Sequence, residues 1–150
     1  MKLEDMTLDV EQHVEVKADI GDVFKRVLYR IGEGNTNPNG DPMQLTLEQW
    51  AGGRWFRDRG NRIGHLWGHV QVIKPPTLLE LSGPLFMSYP AVNHIEVRLD
   101  QIAGGTRVTL RHRAIGLIAQ AHREGVGVGW GHYLETISKD FAQAAVNSKA

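Results

Sequence analysis

Six short runs of strand character, separated by turn-forming residues and set between two segments of helical period, limit this chain more than any other feature. The runs are QLTLEQW, GRWFRDR, IGHLWGHVQVI, TLLELSG, VNHIEVRLD and TRVTLRHRAI. They are divided by Ala51-Gly52-Gly53, Gly60-Asn61, Pro75-Pro76, the stretch from Gly83 to Pro90, and Gly104-Gly105. Connections this short join antiparallel neighbours and leave no room for a crossover helix, so the middle of the chain is expected to be an antiparallel meander. A further strand precedes it. From Met6 to Val16, Leu8, Val10, Val14 and Val16 alternate with Asp9, Glu11, His13 and Glu15, and Gln12 interrupts the apolar set.

The flanking segments have the other period. In ADIGDVFKRVLYRIG, Asp19 is placed to cap a helix whose apolar stripe is Ile20, Val23, Phe24, Val27, Leu28 and Ile31, ending at Gly32. Near the C-terminus, from about Val128, the residues Trp130, Tyr133, Leu134, Ile137, Phe141, Ala144 and Ala145 form a second stripe opposed by Glu135, Lys139 and Asp140. This long amphipathic helix is expected to cover the apolar face of the sheet. Residues 33–43, EGNTNPNGDPM, gather turn formers without an apolar period and are expected to be a surface loop rather than a rim or lid.

Strand parity sorts the side chains. Asn93, Ile95, Val97 and Leu99 share one face, opposite His94, Glu96, Arg98 and Asp100; Val108, Leu110, His112 and Ala114 oppose Arg107, Thr109, Arg111 and Arg113. By simple alternation Leu66, Val70 and Val72 point inward, and His65, Trp67, His69 and Gln71 outward, although a bulge at Gly64 or Gly68 would reverse that assignment.

Composition removes several classes of function. The 150 residues hold seventeen basic and seventeen acidic side chains, so no net field draws in phosphate backbones, and nucleic acid is not expected as a partner. There is no cysteine, which removes thiol catalysis, disulfides and thiolate metal sites and favours a reducing compartment. No apolar run reaches the ~20 residues that span a bilayer, and MKLEDMTLDVEQ lacks the features of a secretion signal, so no membrane insertion and a cytoplasmic location are expected. A length of 150 residues suits one domain over 1–150.

Motifs that promise chemistry are few. His65 and His69 would share an ion on a helix, but on a strand they stand ~13 Å apart; neither they nor His94 are expected to bind metal. GVGVGWG lacks both the lysine of a phosphate loop and the spacing of a dinucleotide turn. Arg98, Arg107, Arg111 and Arg113 are expected to be a solvated face neutralised by cross-strand carboxylates. His112, inward at the end of its strand, is either a ligand-contacting group or general base, or a core histidine held by a hydrogen bond.

The ordered series VEVKADIGDVFKRV, WAGGRWF, GHVQVIKPPTLLEL, GGTRVTLRHRAI and GVGWGHYLETI resembles the START-like, or SRPBCC, superfamily, in its bacterial branch of heat-shock ATPase activator-like and polyketide-cyclase-like proteins. The resemblance implies an α+β helix-grip fold, a curved antiparallel sheet wrapped around a long C-terminal helix, with a cavity between them. It implies a hydrophobic or amphipathic small molecule as ligand; no cofactor is expected, and the inward Asn93 and His112 with the aromatics Phe56, Phe86, Tyr89, Trp130 and Tyr133 are the candidate binding residues. Two further readings stay open. One is a cyclase, dehydratase or hydrolase using His112 in the same cavity; the other is a co-chaperone-like interaction protein with a filled cavity, a protein partner and an exposed patch around Trp67. The sequence does not state an oligomeric state. The loop 33–43 and the glycine-rich QAHREGVGVG, read as a turn before the last helix, depart from the superfamily pattern at the expected mouth of the cavity.

Overall fold

The computed structural model describes residues 2–148. Its elements are a short 3-10 turn at Leu3–Met6, β1 (Thr7–Val16), α1 (Ile20–Ile31), β2 (Thr46–Leu47), β3 (Arg54–Asp58), β4 (Gly64–Lys74), β5 (Leu78–Gly83), β6 (Ala91–Ile102), β7 (Gly105–Gly116) and α2 (Gln120–Ser148). The strands form one antiparallel sheet in the order β1-β7-β6-β5-β4-β3-β2. The meander is therefore as the turns require, and the N-terminal strand closes its far end against β7. With α2 laid along the curved sheet, this is the helix-grip fold. No helix among the described residues is long and apolar enough to cross a membrane.

α1 starts where Asp19 accepts the Gly21 amide and buries Val23, Phe24, Val27, Leu28 and Ile31. The main core joins these residues to Leu79, Leu81, Ile95, Val97, Leu99, Val108 and Leu110 of the sheet and to Tyr133, Leu134 and Ile137 of α2. The bidentate Arg30–Asp140 pair, at 2.7 Å for both contacts, fastens α1 to α2. On the outer face Arg107 pairs with Glu15 and Arg111 with Asp9 across the strands, both at 2.8 Å, while Arg98 pairs with Glu96 of its own strand at 3.3 Å.

Three expectations need correction. β2 is only two residues long, because the chain turns at Glu48–Trp50 and the Glu48 carboxylate takes the amide and guanidinium of Arg54. The last helix begins at Gln120, eight residues before the apolar stripe becomes continuous, so the glycine-rich segment is helix rather than turn. Four glycines, at 125, 127, 129 and 131, lie in its first half, each costing about 1 kcal/mol of helix propensity relative to alanine. Tertiary bonds offset that cost. Arg123 donates to the carbonyls of Thr7 and Asp5, and the inward Gln12 donates to the carbonyl of Gly127 at 2.8 Å.

The third correction concerns parity in β4. Trp55 stands opposite Gly68 and Phe56 opposite Leu66, which leaves Trp67 as an extra residue; Val70 then faces Leu81 and Val72 faces Glu80, which leaves Gln71 as another. Two bulges thus break the alternation. His65, Trp67, Val70 and Ile73 turn to the inner side, and Leu66, 48% exposed, and Val72 turn outward. Gly68 is required at the first bulge, since a Cβ there would lie 2.5 Å from the carbonyl oxygen of Ser82.

Candidate functional site

Between the sheet and the first half of α2 lies a cavity of about 740 Å³. Its sheet wall is Trp55, Arg57, His65, Trp67 and part of the exposed Leu66, its helical wall Ala121, His122, Gly125, Val126, Gly129, Trp130 and Tyr133. The 84–88 turn and the 35–38 segment complete the mouth. The 33–43 loop is therefore a rim, correcting the surface-loop expectation. It is held by the Met43 amide on the carbonyl of Asn35, and by Thr36 Oγ1 at 2.7 Å from His132 Nε2 on α2.

The volume traces to the helix glycines. Positions 121, 125 and 129 recur every four residues and so share one face; Ala121, Gly125 and Gly129 all line the cavity, and a Cβ added to either glycine would meet nothing within 4 Å. Gly127 and Gly131 face the other way, where Gln12 approaches: a Cβ at Gly131 would lie 3.2 Å from Gln12 Oε1. One pair of glycines hollows the cavity, and the other lets β1 close on the helix.

The lining is aromatic. Trp55, Trp67, Phe86, His122 and Tyr89 form a continuous chain with centroid separations of 5.2, 5.6, 5.0 and 5.6 Å, the first three contacts edge-on and the last stacked. Trp55 is anchored by its indole N–H on the carbonyl of Ile31. The indole Nε1 of Trp67 is buried and has no partner among the described residues. Trp67 thus belongs to the wall, which removes the exposed patch on which the interaction-protein reading relied.

Of the seven candidate residues, Phe86, Trp130 and Tyr133 line the cavity. Phe56 does not: it points to the outer face, where the Arg54 guanidinium lies 4.7 Å over its ring. Tyr89 stands behind the wall, its hydroxyl 2.6 Å from His122 Nδ1. Asn93 and His112, both fully buried, form a closed network instead of facing the cavity. The Trp130 indole N–H donates to His112 Nδ1 at 2.9 Å, so the imidazole proton sits on Nε2, which donates to Asn93 Oδ1 at 2.7 Å. Asn93 in turn donates to the carbonyls of Gly83 and Pro84. Burial lowers the His112 pKa from 6.5 to about 4. With both ring nitrogens engaged and the ring held neutral, His112 is a core histidine with no nitrogen left for proton transfer.

Tyr133 is similar. Its hydroxyl donates to the carbonyl of Val27 at 3.0 Å and burial pushes its phenol upward, so only the ring serves the cavity.

The polar lining comes from residues outside the candidate set: Asn35, Thr36, Asn37, Arg57, His65, Ser88 and His122. Arg57 is the one fully charged group among them, and among the described residues no aspartate or glutamate lines the cavity. His122 had a signal in the sequence, since His122, Val126, Trp130 and Tyr133 fall at helical spacing once the helix is extended back through the glycines. Arg57 follows from alternation with the inward Trp55 on β3, whereas His65 had no signal, because its facing depends on the bulge at Trp67. Among the described residues no three acidic or histidine side chains are grouped to hold a metal ion; His65 and His69 lie on opposite faces, and His94 Nε2 is taken by Glu80 at 2.7 Å.

A family model described as activator of Hsp90 ATPase homolog 1-like protein matches residues 39–142. No curated protein matches the chain. Solved structures share its fold. The di-domain ARO/CYC StfQ from the steffimycin biosynthetic pathway aligns with a TM-score of 0.68 at 12% identity, over 97% of this chain and 53% of that one. The Aha1 dimer from Colwellia psychrerythraea gives 0.63 at 12%, over 89% and 96%. Ara h 8.0201 gives 0.65 at 10%, over 91% and 99%. At these identities the likeness is one of fold.

Proposed function

The chain belongs to the activator of Hsp90 ATPase homolog 1-like family, within the SRPBCC superfamily, and from that premise we propose that it binds a hydrophobic or amphipathic small molecule between its sheet and α2. The observation that carries this reading is the cavity of about 740 Å³ with Gly125 and Gly129 on its helical wall. That volume is of the size that encloses a drug-sized molecule. Keeping glycine where alanine or leucine would strengthen the helix and fill the space costs stability, and an occupied cavity supplies a reason for the cost. Affinity would come from burying apolar surface against Trp55, Trp67, Phe86 and Trp130, at ~25 cal/mol per Å² before the cost of ordering both partners. The chain acts in this reading as a single domain and as a carrier or receptor. The enzyme reading through His112 has no support in the geometry.

Native mass spectrometry of wild type and Gly129→Leu tests the proposal. The expected result is a small apolar molecule, or a thermal upshift with amphipathic compounds, that is present in wild type and lost in the variant while circular dichroism stays native. Identical behaviour of the two proteins across a broad compound set would refute it.

A further inference from the structure

We propose that His122 is the ligand-contacting hydrogen-bond donor of this cavity, presenting Nε2–H to an oxygen acceptor, and that Tyr89 is the positioning residue that sets its tautomer. The inference rests on the cavity reading and names the chemistry of what the cavity takes: an apolar molecule bearing a carbonyl or enolate oxygen near the mouth.

Tyr89 Oη makes two contacts. It accepts the amide of Ala119 at 3.1 Å, the residue just before α2, and lies 2.6 Å from His122 Nδ1. A hydroxyl has one proton to give, and the acceptor within reach is Nδ1. The Tyr89 O–H therefore donates to Nδ1, and the imidazole keeps its own proton on Nε2. Ring stacking at 5.6 Å and 26° on Tyr89, and an edge contact at 5.0 Å with Phe86, hold the plane of the imidazole. His122 lines the cavity while Tyr89 does not, and Nε2 has no partner among the described residues. The arrangement is thus a donor with its tautomer set from behind and its free N–H left for whatever enters.

The rest of the lining narrows the class of molecule. Among the described residues Arg57 is its one fully charged side chain and no carboxylate faces the cavity, so a cation finds no counter-charge there, whereas a neutral ketone or an acidic enol finds donors. His112, the histidine that parity alone would favour, contributes nothing here because Asn93 and Trp130 occupy both of its nitrogens.

A matched pair of probes separates this inference from the cavity reading beneath it: 2-acetylnaphthalene, and 2-isopropenylnaphthalene, in which CH₂ replaces the carbonyl oxygen. Titration into wild type is expected to show both binding, with the ketone favoured about three- to ten-fold, the worth of one neutral hydrogen bond. In His122→Phe the ratio of ketone to hydrocarbon affinity is expected to fall to about one, whatever the ring exchange does to the two affinities together. In Tyr89→Phe, which leaves the imidazole in place, the preference shrinks, and long-range ¹H–¹⁵N spectra at mildly alkaline pH change from an Nε2–H pattern to a tautomer mixture. Equal binding of both probes to wild type, or an Nδ1–H pattern for His122 in wild type, would overturn the proposal while leaving the cavity reading standing. Binding of neither probe would overturn this proposal, whereas the cavity reading falls only with the Gly129→Leu comparison.

Discussion

At the scale of single residues, the same side-chain type does different work according to what closes around it. His112 and His122 are both bonded at Nδ1, but His112 also spends Nε2 on Asn93 and is fully buried. A histidine held neutral in the fold, with its pKa lowered from 6.5 to about 4, binds fewer protons than the unfolded chain between those values. Its stabilising contribution is therefore complete above pH 6.5 and is lost as pH falls towards 4, amounting to about 3 kcal/mol. Replacing it with leucine strands the Trp130 N–H and Asn93 Oδ1. His112→Leu is expected to lose about 2–4 kcal/mol at neutral pH. Urea melts at several pH values check both points, because the difference between the two proteins should shrink as pH falls from 6.5 to 4. A constant difference would show that His112 does not carry the acid sensitivity.

At the scale of elements, β4 and α2 are where regular patterns fail and the cavity appears. In β4 the bulge at Trp67 exchanges Leu66 for Trp67 on the inner face and brings His65 beside Arg57, and the bulge at Gln71 exchanges Val72 for Ile73. Gly68 makes the first of these bulges sterically possible, so Gly68→Ala is expected to destabilise by at least about 2 kcal/mol. Loss of the Trp55–Trp67 edge contact should accompany it, visible as a change in tryptophan fluorescence and near-ultraviolet circular dichroism. An unchanged melting temperature and spectrum would mean the bulge does not need glycine. In α2 the reverse holds: the glycines weaken the helix, and bonds from β1 and from the N-terminal turn hold it in place.

At the scale of the molecule, the cavity mouth is built from segments far apart in sequence, and its closure rests on few contacts. Thr36 Oγ1 on His132 is the side-chain bond that ties the 35–38 rim to α2. Thr36→Val is expected to leave the unfolding free energy within about 1 kcal/mol of wild type. Amide exchange across residues 35–43 should rise, and release of 2-acetylnaphthalene should quicken about five-fold, the value of one exposed-side hydrogen bond. Exchange mass spectrometry together with stopped-flow release would show it. An unchanged release rate would mean that the rim is not a gate.

Much of this architecture is written locally. Alternation with tight turns dictates an antiparallel meander, Asp19 and the stripe from Ile20 to Ile31 dictate α1, and parity correctly places Asn93 and His112 inward. These follow from the sequence because a period of two or of 3.6 commits whole runs of side chains at once. What tertiary structure alone decided is the site. Facing within β4 depends on where its neighbours slip by one residue, helix in a glycine-rich segment depends on partners such as Gln12 and Arg123, and a free donor at His122 depends on which groups pack behind it. Those outcomes arise from contacts between residues up to 118 positions apart, where no local period carries the information.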